Sequence, residues 1–142
     1  MLPLAHVGIT SFFAKHFKAF RFPLLAAAFF ALLPDLVDKP LFLLGLTPSG
    51  RFIAHSLFFG VVLAAILFMV LPKQTRVPIA AAAVLGSWSH LLLDLNGPLP
   101  LFFPFISYVF PSYDLGLDLN ALTLMMELIG FSCILLVILE SD

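Results

Sequence analysis

An all-α bundle that crosses a membrane several times, with about four or five helical segments, is the fold class this chain predicts. Three observations carry the prediction. Hydrophobic residues fill 62% of the 142 positions and charged residues 11%, with a mean hydropathy of +1.14, whereas a soluble domain of this size needs a more charged surface. Apolar runs that approach or reach the roughly 20 residues needed to cross a bilayer recur at Phe52–Leu71, Val77–Leu95 and Leu119–Leu139. The few polar residues lie in or at the ends of such runs, and among them are His6, Asp35, His55, His90 and Asp94.

Taken in order, the first two segments are short. Leu2–Ala14 and Phe22–Leu33 each cover only about 20 Å as helix, against a hydrocarbon core of about 30 Å. They form either a tight hairpin extended by Lys15, His16, Lys18 and Arg21 or a re-entrant pair. No basic region precedes the first run, and the second ends in Pro34-Asp35, so a cleaved signal peptide is not expected. Phe52–Leu71 is the first full span and Val77–Leu95 the second. Between Gly97 and Tyr113, Pro98, Pro100, Pro104 and Pro111 interrupt an apolar stretch. Proline removes backbone donors, so this region reads as a membrane-surface loop or re-entrant lid. Leu119–Leu139 closes the chain as the last span, with Cys133 as a packing residue. One domain covers residues 1–142, and no internal repeat is visible.

Basic residues orient these segments. Lys73 and Arg76 occupy the short loop between two spans, which the positive-inside rule makes cytoplasmic. Arg51 and His55 then start a span on the outer side, and Leu95 ends one there. With Lys15, Lys18 and Arg21 inside, His6 and Asp35 come to the outer side too, and Asp114 and Asp118 fall in the outer loop. The candidate ligands therefore share one face, although they were not used to choose it.

Histidine and carboxylate are ligands for Zn²⁺ and similar ions, and ionisable groups at a membrane are costly without a partner or a role. Ser87, His90 and Asp94 repeat at three and four residues, on one helical face. The His90–Asp94 pair either shares an ion, as i, i+4 ligands can, or is a helix cap followed by a turn residue. His55 sits one turn after Arg51 and is either a ligand or a packed interfacial residue. Arg51 either snorkels to headgroups or grips a phosphate with its planar fork. Asp35, closest to the apolar run, is the better ligand of its pair, while Asp38 either supports another group or pairs with Lys39. His6 completes the set, and His16, among Lys15, Lys18 and Arg21, is excluded. Glu127, about two turns into the last span, is a general base, an extra ligand or a structural hydrogen-bonding group.

Metal ligands are thus expected at His6, Asp35, His55, His90 and Asp94, with Asp38 and Glu127 as additional candidates. Three histidines and two carboxylates exceed the four ligands of a closed structural zinc site, which points to a hydrolytic centre, with one or two ions and a position open to water. Zn²⁺ is the expected ion, with Mn²⁺ second. Asp35, Asp94 and Arg51 are the expected catalytic residues, the carboxylates accepting a proton or bridging ions and Arg51 neutralising phosphoryl charge. The expected partners are the bilayer and a lipid or lipid-linked substrate; no nucleic-acid partner is expected. Two other classes stay open. A transporter or metal carrier would spread its binding groups through the membrane depth, where only Glu127 lies. A structural membrane protein would use the site to hold helices together.

His6 with Gly8, Leu33-Pro34-Asp35, Arg51 with His55-Ser56, Ser89-His90-Leu91-Leu92-Leu93-Asp94, and Pro100-Leu101 with Pro104-Phe105 together resemble the YdjM-type predicted metal-dependent hydrolases of prokaryotic inner membranes. The resemblance covers roughly the first 105 residues. The family's segment before the central histidine usually carries a further histidine and a threonine, where this chain has Gly50 and Ala54. The resemblance implies an inner-membrane location and a metal-dependent hydrolase. The ligand order is also similar to the zinc site of bacterial phospholipase C and P1-type nucleases. By that analogy Asp35, His55, His90 and Asp94 surround one ion and Asp94 bridges to a second held partly by His6. The chain has no histidine after His90, so a complete three-metal centre is not expected.

Overall fold

The computed structural model describes residues 3–17, 22–110 and 120–140. Lys18, Arg21, Asp114 and Asp118, which enter the sequence-based topology, lie outside the described residues. Those residues form five helices and no strand: α1 (Pro3–His16), α2 (Leu24–Leu43), α3 (Leu57–Val70), α4 (Arg76–Leu93) and α5 (Ala121–Leu139). Two of them, α4 and α5, are long and apolar enough to cross a membrane.

Two segments differ from the sequence reading. The expected span Phe52–Leu71 is a helix only from Leu57, because residues 51–56 form a non-helical loop. Ser56 ends that loop as an N-cap, its hydroxyl accepting from the Phe59 N–H at 3.2 Å and donating to the Ile53 carbonyl at 3.0 Å. The second apolar run does not stop at Pro34-Asp35. Instead α2 continues through Pro34 and Pro40 to Leu43, and so carries Asp35, Asp38 and Lys39 on a rigid element. It stops at Gly45, whose positive φ of 72° suits a residue without Cβ. Gly45 N–H bonds to the Phe42 carbonyl and Leu46 N–H to the Leu41 carbonyl, both at 2.9 Å, which satisfies the last carbonyls of the helix.

Packing relies on small residues rather than bulky ones, as close helix approach in an apolar solvent requires. α1 and α5 run side by side in parallel, with Gly8 against Gly130: a Cβ on Gly8 would lie 1.9 Å from the Gly130 carbonyl oxygen. α2 meets α4 at Gly86, where a Cβ would lie 2.6 Å from the Phe30 Cβ and 2.8 Å from the Ala31 nitrogen. Ala80, Ala82 and Ala83 are buried on the same helix, so the small-residue run of α4 serves an internal contact. Ala14, Ala27, Phe30, Ala82 and Ala83 form the apolar core. α3 returns antiparallel to α4 through the Leu71–Thr75 turn, and Arg76 lies over the Phe68 ring at 4.3 Å.

Most large apolar side chains point outward, including Phe13, Leu25, Met69, Leu92, Leu128 and Leu139. A groove of about 700 Å³ runs between α1 and α4, lined by Ile9, Phe13, Phe22, Trp88 and Leu92 among others. The proline-rich segment packs back on the 51–58 region. Its Leu101 carbonyl accepts from the Leu57 N–H at 3.0 Å, and Phe103 and Phe105 meet Phe52 and Phe58 at ring distances of 4.6 and 4.7 Å.

Candidate metal centre

Four separate chain segments deliver the five predicted ligands to one buried spot, at the end of the bundle opposite the Lys73–Arg76 turn. His6 comes from the first turns of α1, Asp35 from α2 beyond Pro34, His55 from the loop before α3, and His90 and Asp94 from the C-terminal end of α4. His6, His55 and His90 are 0% exposed and Asp94 is 1% exposed.

The ligand atoms face each other. His55 Nε2 lies 3.1 Å from His90 Nε2, 3.5 Å from Asp35 Oδ1 and 3.9 Å from Asp94 Oδ2. His90 Nε2 lies 3.8 Å from both Asp35 Oδ1 and Asp94 Oδ2. Ligands about 2.0–2.1 Å from a tetrahedral zinc stand roughly 3.3 Å apart, so these separations suit a shared ion after small adjustments. His6 Nε2 is 3.5 Å from Asp94 Oδ1, the other oxygen of that carboxylate, and its ring stacks on His90 with centroids 3.9 Å apart. Neither ring nitrogen of His6 makes a hydrogen bond among the described residues. A fully buried imidazole in that condition is costly without a ligand. Two overlapping triads, His6–His90–Asp94 and Asp35–His55–His90, hold their donor atoms within 4.8 Å of one another.

The surroundings aim these ligands. His90 Nδ1 is 2.7 Å from the Ala31 carbonyl of α2. Donation from Nδ1 leaves Nε2 as the lone-pair nitrogen facing the cluster. His55 is held the same way, with Nδ1 2.7 Å from Asp38 Oδ2. Asp38 also accepts from the backbone N–H groups of Phe52 at 2.7 Å, Ala54 at 3.0 Å and His55 at 3.2 Å. Asp38 therefore supports His55 and pins the loop that carries it. Lys39, which the sequence offered as its partner, binds Asp35 Oδ2 instead, at 2.6 Å.

The remaining candidates divide clearly. Arg51 turns inward, its Nε 2.9 Å from Asp94 Oδ2 and its side chain 2% exposed. Glu127 lies away from the ligand cluster and accepts from the Leu4 and Ala5 N–H groups at 3.0 and 3.1 Å, at the N-terminus of α1. His16 sits at the far end of α1, 3.1 Å from Glu140. Ser87 is fully buried on the face shared with His90, and Ser89 pairs with Thr10 across α1 and α4 at 2.5 Å. Sequence spacing carried no signal for the Thr10–Ser89 or Asp38–His55 contacts, because the partners lie on different segments.

Electrostatics reinforce the arrangement. Burial opposes charge on His55, yet its hydrogen bonds to Asp35 and Asp38 carry its pKa above the ordinary histidine value. Burial also opposes charge on Asp94, but His6 and the Arg51 guanidinium hold its carboxyl well below the usual carboxylate range. Asp94 is thus an anionic side chain at neutral pH.

Neither a curated protein nor a solved structure matches the chain. The family model described as YdjM inner membrane protein matches residues 1–139. With nearly its whole length covered, from the His6 helix through α5, the chain belongs to the YdjM inner membrane protein family.

Proposed function

We propose that this protein is a multi-pass membrane hydrolase that uses a divalent metal, most simply Zn²⁺, to cleave a phosphoester bond in a lipid or lipid-linked substrate at the outer membrane face. One observation carries the reading: five histidine and carboxylate side chains from four segments converge with donor atoms 3.1–3.9 Å apart. Asp35, His55, His90 and Asp94 would hold the ion, with His6 as a fifth ligand or as a ligand to a second ion through the other oxygen of Asp94. When bound, such an ion supplies a Lewis acid for a phosphoryl oxygen and acidifies water towards neutral pH.

The chain's own residues then have definite tasks. Asp38 and the Ala31 carbonyl fix the His55 and His90 rings. Arg51 fixes Asp94. Asp35 would give Oδ1 to the ion beside His55 and His90 while Lys39 holds Oδ2. The lipid substrate class is supported by the family's inner-membrane description and by the outward-facing apolar side chains. The outer-face location rests on Lys73 and Arg76 at the opposite end of the bundle.

Elemental mass spectrometry on detergent-purified protein tests the centre. Wild type is expected to hold about one or two zinc or manganese ions per chain, and a His90→Ala, Asp94→Ala variant that stays folded is expected to lose them. Wild type without stoichiometric metal after supplementation refutes the reading. A metal-loaded wild type that cleaves no phospholipid ester keeps the centre and refutes the substrate class.

A further inference from the structure

The ligand cluster has one open edge. His6, His55, His90 and Asp94 are sealed, whereas the Asp35 side chain is 15% exposed and that of its neighbour Lys39 20%. Asp35 divides its carboxylate between the two environments. Oδ1 faces His55 and His90 at 3.5 and 3.8 Å, and Oδ2 binds Lys39 Nζ at 2.6 Å. A cation therefore stands one carboxylate away from the ligand atoms, on the side from which a substrate must come. The other nearby cation, Arg51, is 2% exposed and directs its Nε at Asp94, so it faces the interior. Leu36 and Leu43, on the same helix as Asp35 and Lys39, are exposed apolar side chains.

Lysine suits this position physically. It is a compact ammonium with three donors on a flexible stem, and it can keep Oδ2 with one donor while offering another outward. Its pairing with Asp35 is a partly exposed i, i+4 contact, which is weak as a stabilising interaction. Holding α2 together is thus a poor explanation for placing a lysine beside a metal ligand.

We infer that Lys39 is the anion-gripping residue of the site: it binds a non-reacting oxygen of a phosphomonoester or phosphodiester whose phosphorus faces the metal centre. The inference rests on the metal-hydrolase reading and adds to it the residue that selects an anionic substrate. The shared chemistry is a phosphoryl oxyanion, whether on a lipid headgroup or free in solution.

Calorimetric titration of zinc-loaded wild type, Lys39→Met and Lys39→Arg tests it, with inorganic phosphate in one arm and nanodiscs containing phosphatidic acid in the other. Lys39→Met is expected to keep its zinc and weaken anion binding about tenfold or more, the scale of a lost charge-assisted hydrogen bond. Lys39→Arg is expected to recover most of it. An effect confined to the nanodisc arm assigns the grip to a lipid headgroup, and an effect in both arms assigns it to the phosphoryl group itself. Unchanged affinity of Lys39→Met in both arms overturns the inference while leaving the metal centre intact. Loss of zinc from Lys39→Met overturns it too, in favour of a positioning role for Lys39 on Asp35. Wild type that takes up no zinc removes the metal centre, and this inference with it.

Discussion

Replacing Asp38 by asparagine isolates the support of one ligand without touching any ligand. The wild-type carboxylate is fully buried and accepts from His55 Nδ1 and the Phe52 N–H at 2.7 Å, from Ala54 at 3.0 Å and from His55 N–H at 3.2 Å. Asparagine keeps the shape and one acceptor oxygen but removes the charge and turns an NH₂ group towards N–H donors. Charge-assisted bonds contribute about 1.5–3 kcal/mol each and neutral ones about 0.5–1.5. Since most of these bonds converge on Oδ2, which the amide oxygen can replace, the net cost to folding should be about 2–3 kcal/mol rather than the sum. His55 also loses the anion that raises its basicity, and removing such a support typically weakens metal affinity 10–100-fold, or about 1.4–2.8 kcal/mol. The assay is competition for zinc against a chromogenic chelator in detergent, alongside thermal unfolding with and without metal. Asp38→Asn with wild-type zinc affinity would refute the argument that this carboxylate aims and activates His55.

Other expectations follow from the same geometry. Gly86→Ala should push α4 off the Phe30–Ala31 backbone and pull His90 from the Ala31 carbonyl, destabilising by about 1–3 kcal/mol and lowering zinc occupancy; thermal melts with metal analysis check both. Glu127→Gln should cost about 1 kcal/mol through the α1 N-terminus and leave zinc stoichiometry unchanged, and loss of metal would reassign Glu127 to the site. The metal-free and metal-bound proteins should respond differently to pH. The raised pKa of His55 gives stability that is fully present below the ordinary value and lost as pH rises through the folded value, so the apo form should melt lower at pH 9 than at pH 6.5. Zinc displaces that proton, so the stabilisation by zinc should grow over the same range; parallel curves would contradict the His55 assignment.

The candidate ligands were legible because polar side chains stand out against an apolar background. His90 and Asp94 also carried a helical repeat, and the basic turn placed them at one end. The elements bearing them were less legible. Pro34 ordinarily marks a helix end, yet α2 continues past it to Leu43. The loop at 51–56 carries the apolar Phe52, Ile53 and Ala54 of the expected span, and the Asp38 carboxylate satisfies the Phe52, Ala54 and His55 N–H groups outside a helix. That bond joins residues 14–17 positions apart with no periodicity. For the same reason Asp38 beside Lys39 read as a local pair, and Glu127 near Leu4, 123 residues away, read as an open question.

On the proposed multi-pass reading, the short third helix has a consequence for the lipid around the protein. With 14 residues it is about 21 Å long, against a hydrocarbon thickness of about 30 Å. Hydrophobic mismatch of that size is met by thinning the bilayer or by tilt, at fractions of a kcal/mol per ångström. A dimple in the leaflet beside α3 would bring headgroups down to the level of His55, at the helix's N-terminal edge. Bilayer thickness would thereby become a variable of the proposed site: thinner membranes would seat the protein with less deformation, and thicker ones would lift the lipid phosphates away from the candidate ligands.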